Sequence, residues 1–566
     1  MTSRREFVEQ SALAGLAMAL PLSLPRHHGA IGPSPRGFLS LLRPPDRMVV
    51  ESASGMLTLR PMPDGTRWSG DQGIAVTTAP SPAALSVTLA SPALAIKRIR
   101  MRWHGALADT RLILGDAWER AYGDLEWRGW VPDRVMPWYF AATTSDATHC
   151  YGVRTGPAAF CSWSVDPDGI TLTADVRSGS SAVQLGERVL SVCTVVCRPG
   201  HAGESPFAAV HAFCRQMCAA PRLPADPVYG SNDWYWAYGN NSAASVRADA
   251  QRIVDLSPTG SNRPFVVIDD GWQPEGGHDK NGAGLWDRGN EKFGDMHALA
   301  GDVRRTGGRA GIWIRALQAP ADAPASWRLT RDRTTLDPTI PDVLHKVTAD
   351  ITRLREWGFD LIKHDYSTFD IFGRWGSQMG SALTRDGWTF ANGADRTSAE
   401  VIDTLYATIA AAAGESLVIG CNTVSHLSAG HFALCRVGDD TSGNEWGRVR
   451  KMGVNSLAFR GAQHDAFYVT DADCVGVTTQ LPWALNRQWL DLLAESGTTL
   501  FVSLAPDAVG DEQRRDLQRA LAMAATRQPL GEPLDWQHNL SPDAWRLRGQ
   551  QRTFDWIGAD GGLTTG

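Results

Sequence analysis

The chain has no run of lysine or arginine, no His-Glu-x-x-His or comparable cluster among its 14 histidines, and 20% charged residues over 566. A net charge of −6 and a pI near 6.2 leave no basic surface suited to nucleic acid. The lack of a histidine motif argues against metal catalysis, and no other motif calls for a cofactor. Nine cysteines occur, at 150, 161, 193, 197, 214, 218, 421, 435 and 474, so at least one is unpaired. Cys193-x3-Cys197 and Cys214-x3-Cys218 have no further Cys or His at zinc-like spacing. They read as buried thiols, with disulfides open to an exported protein. The apolar segment from Ala12 to Leu24 is too short to span a membrane.

That segment has a different use. It follows Ser3-Arg4-Arg5-Glu6-Phe7 and has the length of a signal h-region, so residues 1–30 resemble a twin-arginine export signal. The expected location is the periplasm. The 22 tryptophans are unusual: most should be core anchors, and the remainder could offer platforms to the apolar faces of sugar rings.

At this length two or three domains are expected. From 31 to 222 the text is short alternating runs such as LSVTLA (85–90), GITLTADVR (169–177) and RVLSVCTVVC (188–197), which predict an antiparallel β-sandwich. Helical periodicity first appears in PFAAVHAFCRQMCA (206–219), and the Pro-rich seam PRLPADP (221–227) marks a boundary. From 223 to 528 strand-like and helical runs alternate. The strands are 228–238, 265–270, 310–316, 359–366, 417–423, 432–440, 466–474 and 498–504, a spacing that suits a (β/α)8 barrel. The clearest helix is VLHKVTADITRLREWG (343–358), with Val343, Val347, Ile351 and Leu354 near one face and Gly358 closing it. DEQRRDLQRALAMAATR (511–527) reads as the last helix, and 529–566 as a short C-terminal β appendage.

In such a barrel the residues at the C-terminal ends of the strands face the active site. The rule selects Asp233, Asp269, Asp270, Arg315, Lys363, Asp365, Asn422, Arg436, Asp440, Asp471, Asp473 and Ser503. Acids placed directly after buried-strand text are costly unless used or paired. Two carboxyls about 5–5.5 Å apart across a sugar are the equipment of a retaining glycosidase, one as nucleophile and one as acid/base. Strands four and six supply Asp365 and Asp440. Lys363, on the same strand face as Asp365, should keep that carboxylate ionised and hydrogen-bond a sugar hydroxyl. Asp439 beside Asp440 should raise its pKa, as a general acid requires.

These residues resemble the α-galactosidase clan of glycoside hydrolases, in its bacterial melibiase and raffinose-synthase-like branch. The likeness runs over roughly 31–510. It is carried by LDPTIPDVLHKVTADITRLREWGFDLIKHDYSTFDIFGRWG (336–376), IDDGWQ (268–273) and RVGDD (436–440), in the expected order. The resemblance implies Asp365 as nucleophile, Asp440 as acid/base, and Lys363 and Arg436 as substrate-binding residues. It also implies that Asp269 and Asp270 hold O4 and O6 of galactose, with Trp272 lining the same subsite. Asp473 would be structural. Two features depart from the clan: Cys421-Asn422-Thr423-Val424 replaces the Glu or Ser/Gly-rich run that reads O2, and His364 stands where many members have Trp or Tyr. Asn422 is then the candidate for a sugar hydroxyl.

The expected activity is cleavage of terminal α-linked sugars, foremost α-D-galactosides, from an oligosaccharide or glycoside substrate. α-N-acetylgalactosaminides, β-L-arabinopyranosides and transfer to a second sugar use the same aspartates. Two other classes compete. A Schiff-base lyase would use Lys363 as its amine, which the neighbouring Asp365 opposes by holding it protonated. A non-catalytic sugar-binding protein would have little reason to keep both aspartates.

Overall fold

The computed structural model describes residues 37–558 except 108 and 279. The export-signal segment, 1–30, lies outside the described residues. Among the described residues, no helix is long and apolar enough to cross a membrane.

The first part of the chain forms two antiparallel sheets, of six and eight strands. Leu85–Ala90, Gly169–Asp175 and Val189–Arg198 are strands at the places their β-branched alternation predicts. Leu85–Ala90 shows the alternation directly: Leu85, Val87 and Leu89 are buried, whereas Ser86 and Thr88 are not. The two sheets meet through side chains such as Phe140 and Trp163, whose rings lie 5.8 Å apart. Pro206–Met217 follows as a helix, with the Ser205 hydroxyl accepting from the Ala208 N–H as its N-cap.

A curled parallel sheet of nine strands comes next. Its strands, in chain order, are Tyr229–Asn232, Phe265–Ile268, Arg309–Ile314, Leu361–His364, Leu417–Gly420, Leu434–Arg436, Val469–Asp471, Cys474–Val477 and Leu500–Leu504. Val469–Asp471 and Cys474–Val477 end the hydrogen-bonded order on opposite sides, yet only Ala472 and Asp473 separate them in the chain. The curl is written in side-chain parity. Phe265, Val267, Leu361, Ile419, Leu434, Val469, Cys474 and Phe501 form a cluster of their own. Their neighbours of opposite parity, among them Val266, Ile268, Ile312, Ile362, Val418 and Val502, belong to the larger core. Two separate cores on the two faces of one sheet are what wrapping around an interior produces. The strand Arg309–Ile314 adds Gly311 to the inner face, where a Cβ would stand 2.9 Å from Val267 and 3.3 Å from Leu361. A larger residue there would crowd the interior. Each fully buried Leu or Val contributes roughly 1.5–3 kcal/mol.

The helix Pro341–Glu356 buries Val343, Val347, Ile351 and Leu354, and Gly358 follows with φ 94. The closing helix is Asp511–Ala524, followed by a three-stranded antiparallel sheet, Glu532–Pro533, Ala544–Leu547 and Gln550–Thr553.

Two expectations need correction. The run 228–238 is not one strand: it ends at Asn232, and Trp234–Ala237 is a helical turn. The run 466–474 is broken, because Asp473 takes a left-handed backbone (φ 79) that no strand accommodates. All nine cysteines are buried free thiols. Of the tryptophans, 103, 138, 163, 272, 286, 489, 545 and 556 rank among the largest fully buried side chains, in keeping with a core role.

Candidate active site

The rim where the parallel strands end gathers most of the residues that strand-end placement selects. Their environments sort them into supports and groups left free for chemistry.

Asp269 is a support. It is 2% exposed; its Oδ2 takes Lys363 Nζ at 2.6 Å and Asn232 Nδ2 at 2.6 Å, and its Oδ1 takes the Asp270 N–H at 2.9 Å. One of the three Lys363 ammonium donors is thus held on Asp269, which fixes the side chain at the rim. The pair holds the Lys363 pKa well above the ordinary lysine range, against the pull of burial. Below it, Asp233 accepts the Asp269 N–H at 2.8 Å and Asn241 Nδ2 at 3.0 Å. Burial, with the Asp269 charge behind it, pushes Asp233 up to about 8. Arg315 is locked to Asp370 at 2.6 Å, Ser503 is fully buried, and Asp471 accepts the Asp473 N–H at 2.9 Å. Asp473 gathers Arg436 Nη2 at 2.9 Å, the Thr441 N–H at 2.7 Å and the Tyr235 hydroxyl on Oδ2. It anchors the loop that follows the sixth strand, the structural part expected of it.

Trp272 is also a support, which corrects its expected place in the sugar subsite. It is 0% exposed, its indole N–H donates to the Trp313 carbonyl at 2.9 Å, and it packs on Trp286 and Trp357. The indole that reaches the rim is Trp313, whose Nε1 donates to Asp365 Oδ2 at 3.1 Å. His364 is fully buried and held neutral, pushed down to about 3 by burial, with its ring edge-on to Tyr406 and Phe432. It packs in an aromatic slot behind the rim.

Three carboxyls keep partial access to solvent with few partners: Asp270, Asp365 and Asp440. Among the described residues Asp365 accepts only the Trp313 indole and the Tyr366 N–H, the latter at 2.7 Å. Tyr366 has φ 69, a left-handed backbone that turns the chain just after the carboxylate. Asp270 accepts Gln273 Nε2 at 2.6 Å, and burial together with the Asp269 charge pushes it up to about 6. Lys363 acts electrostatically on both Asp365 and Asp440, and Tyr366 feels both, so the two carboxylates share one site.

Asp440 departs from expectation. Its side chain is 39% exposed, and Oδ1 takes Arg436 Nη2 at 3.2 Å and Arg120 Nη1 at 3.3 Å. Burial works upward on it, but Arg120, Arg436, Lys363 and Arg448 outweigh that and hold it down at about 2. The like charge of Asp439 does not prevail, because Asp439 is itself neutralised by Arg120 at 2.7 Å and Arg448 at 2.8 Å. That pairing separates the two neighbours: Asp439 is committed to protein and Asp440 is available.

Two residues that sequence reasoning missed come from the part of the chain that forms the antiparallel sheets. Glu119 is fully buried; its Oε2 accepts Asn422 Nδ2 at 2.7 Å and its Oε1 the Gly376 N–H at 2.9 Å. The Asn422 Oδ1 accepts the Phe369 N–H at 3.3 Å, so the Asn422 amide is engaged by protein at both ends. Arg120 stands beside Glu119, its guanidinium against the rings of Tyr122 and Trp375. These contacts join positions more than 300 apart in the chain, beyond the reach of any local pattern. Among the described residues no group of three His, Cys, Asp or Glu could hold a metal ion.

No family model matches the chain, and no curated protein matches it. Solved structures do. The α-galactosidase TtGalA from Thermus thermophilus, in complex with p-nitrophenyl α-D-galactopyranoside, superposes with a TM-score of 0.58 at 17% identity, over 90% of this chain and 98% of its own. The GH36 α-galactosidase AgaA from Geobacillus stearothermophilus, in complex with raffinose, gives 0.58 at 13% identity, over 88% and 79%. An α-galactosidase from Lactobacillus brevis gives 0.56 at 13%, over 84% and 72%. At these identities the likeness establishes a shared fold.

Proposed function

We propose that the protein is a retaining glycoside hydrolase that releases terminal α-linked sugars, with α-D-galactosides as its substrates. The observation that carries the reading is the division among the rim acids. Asp233, Asp269, Asp471 and Asp473 are buried among protein partners, while Asp270, Asp365 and Asp440 keep access to solvent. The fold shared with α-galactosidases, some of them solved with p-nitrophenyl α-galactoside, stachyose or raffinose, supports galactose as the sugar.

In this reading Asp365 attacks the anomeric carbon while Asp440 protonates the glycosidic oxygen. Water, deprotonated by Asp440, then releases the sugar from Asp365 with retention of configuration. The Trp313 indole and the Tyr366 N–H fix the nucleophile's two oxygens, so the attacking carboxylate is oriented before substrate arrives. Asp270, with one oxygen left by Gln273, accepts a sugar hydroxyl. Without substrate Asp440 is a carboxylate clasped by two arginines. A sugar that draws Arg436 onto its own hydroxyl and expels water raises the proton affinity of Asp440 at the moment the leaving oxygen needs a proton.

The finer architecture belongs to the same reading: a β-sandwich over 31–222, a (β/α)8 barrel over 223–528 and a β appendage over 529–566. Export to the periplasm through residues 1–30 favours water over a sugar as the acceptor, because activated donor sugars are cytoplasmic. The test is a panel of nitrophenyl glycosides that includes α-galactoside, α-N-acetylgalactosaminide, α-glucoside and β-L-arabinopyranoside, with Asp365→Ala as the blank. Release from α-galactoside that vanishes in the variant is the expected result. Release that persists in Asp365→Ala would remove Asp365 from the mechanism.

A further inference from the structure

The acid/base carboxylate is held from outside the parallel sheet. The segment around Ala121 leaves the β-sandwich part of the chain and pairs with the exit of the sixth strand, Leu434–Arg436. The Ala121 N–H donates to the Val437 carbonyl at 2.8 Å, and the Asp439 N–H donates to the Ala121 carbonyl at 2.8 Å. This short parallel pairing fixes the backbone immediately after Arg120 and immediately before Asp440. Arg460 braces it, its Nη1 on the Glu119 carbonyl and its Nε 2.8 Å from Asp116 Oδ1.

Arg120 emerges from this brace as a fork. Its Nη2 lies 2.7 Å from Asp439 Oδ1, and its Nη1 lies 3.3 Å from Asp440 Oδ1. The guanidinium is 5.6 Å from the Tyr122 ring centroid and 5.5 Å from that of Trp375, and its side chain is 7% exposed. Arg436 and Arg120 both bind the Oδ1 of Asp440, and among the described residues Oδ2 has no donor. The clasp therefore selects the rotamer of Asp440 and leaves one oxygen to carry a proton. Arg436 also serves Asp473 and Arg448 serves Asp439, so Arg120 is the cation that ties Asp440 to the sandwich.

We propose that Arg120 is a positioning residue for the acid/base step, aiming Asp440 Oδ2 at the leaving oxygen from the neighbouring β-sandwich. The inference rests on the hydrolase reading above. The groups facing Asp440 are Arg120, Arg436, Lys363 and Arg448 as cations, Tyr235, Tyr238 and Tyr366 as phenols, and Asp439 as a neighbouring carboxylate. Arg120→Met removes one cation and keeps most of the stem. Two effects should follow together. With less positive charge nearby, Asp440 in the substrate complex keeps its proton to higher pH, so the basic limb of kcat moves up by about one pH unit. With its aim lost, Asp440 protonates a poor leaving group badly. Hydrolysis of methyl α-D-galactopyranoside should then fall about 100-fold, while that of the p-nitrophenyl glycoside, which needs less protonation, falls less than about tenfold.

Arg120→Lys should show the same bias in milder form, since one ammonium cannot bridge both aspartates as a guanidinium fork does. It also carries the test should Arg120→Met fail to fold. An active wild type whose variants lose both substrates equally, with an unmoved pH limb, would overturn the inference and leave the hydrolase reading standing. A wild type that cleaves neither glycoside would overturn both.

Discussion

Replacing Lys363 with methionine probes the electrostatic frame of the site. Lys363 Nζ lies 2.6 Å from Asp269 Oδ2, with side-chain exposures of 10% and 3%. The other partners of Asp269 are the neutral Asn232 amide at 2.6 Å and the Asp270 N–H at 2.9 Å. Methionine keeps most of the stem and leaves the carboxylate buried without a cation. Breaking a buried pair from one side costs about 3–5 kcal/mol, whereas removing both charges is often close to neutral. Lys363→Met should therefore lose about 3–5 kcal/mol, and the double variant Lys363→Met/Asp269→Asn should regain at least about 2 kcal/mol of that. The regain is expected because Asp269→Asn removes the unpaired buried charge, while its amide oxygen still accepts from one of the two neighbouring donors. Urea unfolding followed by tryptophan fluorescence reads these differences as midpoint shifts at a common slope. A single variant as stable as the wild type, or a double variant no better than the single one, would refute the reasoning. A secure pair also bears on the lyase alternative, because a lysine held charged on Asp269 is a poor nucleophile.

Three other outcomes follow from the geometry. Asp365→Gly should be inactive and recover turnover with azide or formate, the small anion taking the place of the missing carboxylate; product with inverted configuration from the wild type would defeat the two-step scheme. Asp440→Asn should lower kcat/KM on alkyl galactosides by about 10²–10⁴ and spare kcat/KM on aryl ones, whose first step needs little protonation, whereas Asp439→Asn should weaken thermal stability more than chemistry; the opposite ranking would move the acid/base by one residue. Asp270 sits at about 6 against an ordinary 3.8, so between those values the folded protein binds more protons than the unfolded chain and stability falls as pH rises. Asp270→Asn should remove that slope, worth at most about 3 kcal/mol, from stability measured between pH 4 and 6.5; parallel curves for variant and wild type would contradict it.

The parts of the site legible in the sequence are those encoded locally. Apolar β-branched runs ending in acids predicted the parallel strands, and strand parity put Lys363 and Asp365 on the inner face beside Leu361. Parity does not say which acid is free, because freedom depends on partners from other strands. Asp269 and Asp270 are adjacent in sequence, yet one is enclosed by Lys363 and Asn232 and the other keeps an open oxygen. The expected rise in the Asp440 pKa failed for the same reason. Asp439 and Arg436 both stand within four residues of Asp440, but the largest of the opposing charges, Arg120, comes from 320 positions away, and Arg120 also neutralises Asp439. The partner of Asn422, Glu119, lies 303 positions away in a segment that reads as ordinary strand-and-turn text, so no local pattern pairs the two. What local pattern does encode is the backbone that receives these partners. Gly443, three residues past Asp440, lets that loop approach the turn after the first strand so closely that a Cβ would stand 2.0 Å from the Tyr235 carbonyl oxygen. Thr441 in the same loop is tied to Asp473. The loop is thus clamped on its far side by the parallel sheet and on its near side by the sandwich through Ala121. Asp440 lies between two fixed points contributed by distant parts of the chain. The geometry of Asp440 is therefore a property of how the antiparallel sheets meet the parallel one, and under the proposed mechanism substitutions at that contact should act on proton transfer before they act on substrate binding.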